Sequence, residues 1–350
     1  MIHGRSKRRG RRFTVAGAIL LAGCVAVALT LTSVGSARST KQIKVAMVPK
    51  LLGLPVFEAN VKGAKQVAPG LGIKLLYTAP ATASAQGQVA IFDSLIRQKY
   101  DVIALSSDDP TTPAPVLQKA MAAGIKVISW DSDVIPSARS FFIQNTAYDT
   151  FAKDIIDGVV KLAGSNAHIA IMNSTPDATI QLSWLKAMHR YMAAKYPNLK
   201  IVTTGYGQSN QALSLTQAEN IIHSHPDVKA IIPIDGAATT GTGQAVSNLH
   251  LQGKVFVVGI GDPLPNVKYL EDGSIQALVL WDEVKEGQMV MYVSKLAYEG
   301  KLVAGKTFTC PLGKFTVSAT TNPITGATKN TIIFSKPLTF TKENYKKYMF

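Results

Sequence analysis

Residues 43–68 read IKVAMVPKLLGLPVFEANVKGAKQVA, and their pattern decides the fold. Ile43–Val48 is a short apolar run with β-branched residues, the composition of a strand buried on both faces. Residues 49–54 interrupt it with Pro and Gly, as a turn does. Pro55 suits the first turn of a helix, where its missing N–H would have no partner in any case. Val56, Val61, Ala64 and Ala68 then recur at helical spacing. A strand, a turn and an amphipathic helix make one βα unit.

The unit repeats outward from there. Ile73–Tyr77, Val102–Leu105 and 125–130 read as further strands, with helices predicted at 88–98 and 115–123. A second half follows the same scheme. Its strands are 168–172, 201–205, 230–234 and 255–260, and its helices lie at about 150–163, 181–195, 213–223 and 239–249. One more strand, 275–281, and one more helix, about 284–299, come late, and the stretch from Lys301 holds strand-like pieces without a long helix. Repeated βα units imply parallel sheets covered by helices on both faces. The expected fold is therefore α/β, two doubly wound parallel-sheet lobes, and no Pro/Ser linker separates them.

Composition agrees with that class. The chain has 350 residues, 47% hydrophobic and 17% charged, enough for two ordinary domains. Its 27 glycines and 17 prolines are near average usage, which excludes collagen-like and disordered chains. Two cysteines, Cys24 and Cys310, make neither a disulfide scaffold nor a cysteine-rich metal site. The net charge of +15 is unevenly spread. Arg5, Lys7, Arg8, Arg9, Arg11 and Arg12 precede any acid, and without them 31 basic residues face 22 acidic ones. The remaining basic residues are scattered, so no nucleic-acid footprint is expected.

The basic start and the apolar stretch 13–34 have the layout of an export signal. Leu21-Ala22-Gly23-Cys24 matches a bacterial lipobox, with Cys24 as the lipidated residue. Gly35-Ser36-Ala37 offers ordinary cleavage instead, and the 22-residue stretch 13–34 is also long enough for an uncleaved anchor. The paired arginines hint at a twin-arginine signal, although the residues after them fit that signal poorly. Each reading places the body of the chain outside the cytoplasm.

In open α/β sheets ligands sit beyond the carboxyl ends of the strands. The residues there are Pro49-Lys50, Ser106 to Asp109, Asp131-Ser132-Asp133, Asn173 to Asp177, Asp235-Gly236, Gly261-Asp262 and Trp281-Asp282. Hydroxyls, carboxylates, amides and an aromatic face are what a polyol needs, with the ring covering its C–H side. Any one of these acids is as well explained as a helix N-cap or an ion-pair partner. Their coincidence at several strand ends carries more weight. Signals for catalysis are thin: the sequence has no G-x-S-x-G, H-E-x-x-H or Walker loop. His223 and His225 suit a solvated helix ending better than a metal. Gly241-Thr242-Gly243 lacks the third glycine of a dinucleotide fingerprint and falls inside a predicted helix. Cys310, before Pro311, reads as a small apolar residue. No cofactor and no metal are implied.

Val45 to Lys50, Ser129-Trp130-Asp131-Ser132-Asp133, Trp184-Leu185-Lys186, Leu280-Trp281-Asp282 and Phe340 to Asn344 together carry a resemblance. From Ile43 onward the chain resembles the periplasmic sugar-binding proteins of ABC transporters, in the rhamnose-binding and autoinducer-2-binding branch. The resemblance implies lobes joined by a three-crossing hinge and closing on one ligand. It also implies a membrane permease and ATPase that receive that ligand. The implied division is a signal segment 1–37, a first lobe of 43–145 with about 282–305, a second lobe of 146–281, and a tail 306–350 packing across both. Autoinducer-2 receptors hold their ligand with a Lys and an Asp, which fall on Lys50 and Asp131. Of their Asp-Gln pair, Gln181 is retained and Ile180 replaces the Asp. Their Pro and Ala positions are Ile234 and Gly236, flanking Asp235. Loss of that carboxylate removes a charged hydrogen bond of about 1.5–3 kcal/mol. An apolar Ile180 suits a deoxy-sugar such as rhamnose better than autoinducer-2.

The expected ligand contacts are thus Lys50 and Asp131 on one lobe and Gln181 and Asp235 on the other. Trp281 or Phe57 would be the stacking platform, with Asp262, Asp282, Ile180 and Gly236 as weaker candidates. The expected function is an exported, monomeric solute-binding protein that delivers a monosaccharide to an ABC importer. A sensor that passes its closed state to a membrane receptor shares every one of these features. A sugar-responsive repressor would need an N-terminal helix-turn-helix in place of the export signal, and an exported hydrolase would need a nucleophile and base.

Overall fold

The computed structural model describes residues 42–82, 84–176 and 178–348. Residues 1–41, and with them Cys24 and both cleavage motifs, lie outside the described residues. The first series of elements is β1 (Ile43–Val48), α1 (Pro55–Val67), β2 (Ile73–Tyr77), α2 (Ala85–Arg97), β3 (Val102–Leu105), α3 (Ala114–Ala122), β4 (Lys126–Trp130) and β5 (Phe141–Thr146). The second is α4 (Tyr148–Ala163), β6 (His168–Asn173), α5 (Thr179–Lys195), β7 (Lys200–Tyr206), α6 (Gln211–Ser224), β8 (Val228–Pro233), α7 (Gly236–Asn248), β9 (Phe256–Gly259), α8 (Val267–Glu271) and β10 (Ala277–Leu280). Then come α9 (Glu283–Tyr298), β11 (Thr307–Cys310), β12 (Gly313–Thr316), β13 (Thr331–Ser335) and β14 (Leu338–Phe340).

The strands form two six-stranded sheets and a hairpin, β11–β12. The first sheet runs β13-β5-β4-β3-β1-β2 and all its neighbours are parallel. The second runs β14-β10-β9-β8-β6-β7, parallel except for β14. Strand β1 shows why its sequence lacks polar alternation. Val45 and Met47 pack into the core on one face, Ala46 and Val48 into the core on the other, and all four are fully buried.

The chain passes between the two lobes three times, after β5, after β10 and between β13 and β14. Helix α9 returns to the first lobe and packs on α1. The backbones meet so closely that a Cβ on Gly63 would overlap the Val284 carbonyl, and one on Gly287 the Asn60 carbonyl. Gly241 and Gly243 of α7 likewise serve packing, against α6 and against Ile275.

One expectation needs correction. Strand β5 is missing from the expected strands because its apolar start runs into Gln144, Asn145 and Thr146, all buried polar residues. The Gln144 Nε2 donates to the carbonyls of Thr146 and of the distant Thr325, whereas its buried Oε1 has no partner among the described residues. The stretch 306–350 contributes to both lobes, since β13 completes the first sheet and β14 the second.

Candidate functional site

A cleft of about 1040 Å³ opens at the carboxyl ends of the strands of both sheets. Its walls come from the segments after β1, β3, β4, β5, β6, β7, β8, β9 and β10. Lys50, Phe57, Asp131, Ile180, Gln181, Asp235, Gly236, Asp262 and Trp281 all line it. Asp282 does not. Its carboxylate caps α9, accepting from the Lys285 N–H at 2.9 Å, and pairs with Lys285 Nζ at 3.0 Å.

On the first lobe, Asp131 sits in the left-handed region at φ +56°, an unusual backbone for a residue with a side chain. Its Oδ2 accepts from Ser106 Oγ at 2.7 Å and faces Lys50 Nζ at 3.4 Å. Asp133, two residues on, also lines the cleft but is engaged elsewhere. It accepts from Arg139 Nε at 2.7 Å and from the Val134 N–H, and burial raises its carboxyl above the usual range against the pull of Arg139. Burial likewise raises Asp108, against the Ser84 N–H and Lys50, whereas the Thr112 N–H leads in holding Asp109 down at about 2. Behind this wall the buried Gln88 ties the strand ends together. Its amide nitrogen donates to the Pro49 and Ser106 carbonyls, and its oxygen accepts from the Asp108 N–H.

On the second lobe, Ile180 and Gln181 lie in the first turn of α5, which points its N-terminal end at the cleft. Asp235 caps α7 through the Ala238 N–H and accepts from Ser209 Oγ at 2.9 Å. The cap explanation therefore holds for Asp235 while its carboxylate still lines the cleft.

The two aromatic rings expected as a platform line the cleft from deep in its walls. Phe57 and Trp281 are each only 2% exposed, so little of either ring is open to a ligand. Trp281 is fixed by its indole N–H donating to Glu286 at 2.9 Å and by Trp184, whose ring centroid is 6.3 Å away. Trp184 itself lines the cleft.

Sequence reasoning missed Tyr148, Gln208, Ser209 and Glu283, which also line the cleft. Gln208 and Ser209 both have positive φ, a turn geometry their sequence does not announce. Glu283, 1% exposed, begins α9 beside the second crossing. Its carboxyl meets that of Asp262, and burial together with that neighbour pushes it well above the usual range. In the next turn Glu286 accepts from Trp281 and, at 3.1 Å, from Asn60, and burial pushes it up to about 8.

With carboxylates, an amide, hydroxyls and one ammonium set among Ile180, Ile234, Ile260 and Trp184, the cleft is equipped to hold a small polar molecule with an apolar edge. Among the described residues no group of three or more His, Cys, Asp or Glu is arranged to hold a metal ion. No helix of the described residues is long and apolar enough to cross a membrane.

Residues 45–302 match the family model described as a periplasmic binding protein domain. The chain is similar to the ribose import binding protein of Bacillus subtilis, 22% identical over 280 residues, 78% of this chain and 87% of that protein. It is 25% identical over 244 residues to the D-allose-binding periplasmic protein of Escherichia coli, covering 67% of this chain and 78% of that one. Among solved structures, a solute binding protein from Clostridium phytofermentas with bound L-rhamnose superposes with a TM-score of 0.80 at 25% identity, over 88% of this chain and 98% of that chain. LsrB from Clostridium saccharobutylicum in complex with AI-2 gives a TM-score of 0.80 at 27% identity, over 88% and 100%.

Proposed function

The chain belongs to the periplasmic binding protein family of sugar-binding ABC transporter components, and from that premise we propose that it captures a monosaccharide in the inter-lobe cleft and hands it to an ABC importer. One observation carries this reading: a single cleft at the carboxyl strand ends of both sheets, lined from both lobes by groups that bind hydroxyls. Lys50 and Asp131 hold hydroxyls from the first lobe, and Gln181 and Asp235 hold them from the second. A ligand gripped from both sides stabilises the closed arrangement by contacts that the open one lacks, and the three crossings serve as the hinge. Ile180 and Ile234 favour a sugar with an apolar edge, so among neutral sugars a deoxy-sugar of the rhamnose kind is preferred. Residues 1–37 export the protein, with Cys24 as a candidate lipid anchor.

A thermal-shift screen against monosaccharides tests the reading, because a ligand bound only by the folded state raises Tm. A clear rise with one sugar, lost in Asp131→Ala, is expected. No rise with any sugar would remove the monosaccharide claim.

A further inference from the structure

Lys50 is the one basic side chain among the described residues lining the cleft, against seven carboxyl groups. Five of the seven have protein partners. Asp131 faces Lys50, Asp133 holds Arg139, Asp108 accepts from the Ser84 N–H, Asp109 from the Thr111 and Thr112 N–H groups, and Asp235 caps α7. The other two, Asp262 and Glu283, face one another. Asp262 follows β9 of the second lobe, and Glu283 opens the helix that returns to the first. Among the described residues no N–H or hydroxyl donates to either oxygen of Glu283 or to Asp262 Oδ1, although all three atoms are buried. Burial, and for Glu283 the neighbouring Asp262 carboxyl, raise both groups and so favour a proton held between the two. The charged groups around the pair add no cation. Glu286 lies one turn along α9, Asp131 approaches from the first lobe, and the charge of Lys50 is engaged by Asp131.

We infer that the cleft selects polyols carrying a basic nitrogen, amino sugars above all, whose ammonium group takes the place of the proton between Asp262 and Glu283. The inference rests on the sugar-binding reading and narrows its ligand class. On binding, the ammonium brings one positive charge and N–H donors for the orphaned oxygens. The shared proton leaves to solvent, so two carboxylates then face one cation. A neutral sugar offers only hydroxyls to the same pair. Because a proton is released, affinity for the amine rises with pH until the amine itself loses its charge.

Calorimetric titration of the full chain with matched pairs, such as D-glucosamine against D-glucose and D-mannosamine against D-mannose, tests this. The titrations are repeated in two buffers of different ionisation heat. The amino member is expected to bind about tenfold tighter or more, a difference of roughly 1.4 kcal/mol, and to release about one proton per ligand, as the displacement requires. The preference should shrink in Glu283→Gln and also in Asp262→Asn, which supplies the same reading if the first variant folds poorly. Neutral sugars binding as tightly as their amino partners, or amine binding without proton release, would overturn the inference and leave the sugar-binding reading standing. Binding of neither class would overturn both.

Discussion

Glu286 departs far from the chemistry of an exposed glutamate. It is fully buried, and desolvation, with the charge of Asp131 adding to it, raises its carboxyl from 4.5 to about 8. In the unfolded chain the group ionises near 4.5, whereas in the folded chain it keeps its proton until about 8. Its contribution to stability is therefore whole below the lower value and is lost as pH rises through the upper one, at about 1.4 kcal/mol per pH unit between them. Urea-unfolding midpoints should fall across that window, and Glu286→Gln should flatten the fall. An identical slope in both proteins would show that Glu286 does not carry the proton. At the same scale, Asp131→Asn removes the charge that faces Lys50 and accepts from Ser106, and sugar affinity should drop about 10- to 100-fold, the range of one charged hydrogen bond. Asp131 was legible in the sequence because it stands directly after a clear strand. Glu283 was not, since an acid in the first turn of a helix is ordinary there, and only the packing of α9 under the cleft reveals that it is buried.

At the scale of elements, the contact between α1 and α9 sets where the cleft floor lies. Gly63 and Gly287 let the two backbones touch, and Asn60 uses that closeness to donate to the Glu283 carbonyl at 2.8 Å and to Glu286. Gly287→Ala forces the helices apart, and a loss of about 1–3 kcal/mol is expected from overpacking alone. Thermal unfolding measures it, and an unchanged Tm would mean that the helices yield without strain. Strands β1 to β4 were readable because each is an apolar run of length suited to a doubly covered sheet. Strand β5 and the edge strands β13 and β14 were not. The first hides behind buried polar residues, and the edge strands are short and gain their identity from pairing with β5 and β10, far away in sequence.

At the scale of the whole molecule, each sheet ends at one cleft and each lobe lines it with polar groups suited to hydroxyls. Alternating βα units foretold the two-lobe architecture, and the strand-end rule foretold most of the cleft. The depth of Phe57 and Trp281 was beyond reach, because burial of a ring depends on partners such as Trp184 and Glu286 that sequence spacing does not identify. The central claim is that one sugar is held from both lobes at once. Calorimetric titration of the sugar giving the largest thermal shift, on the unaltered chain, on Asp131→Asn and on Gln181→Ala, tests it most directly. The expected result is one site in the unaltered chain, with affinity reduced at least about tenfold by either substitution. Full affinity in both variants would contradict the claim, and full affinity in one of them would place the sugar on a single lobe.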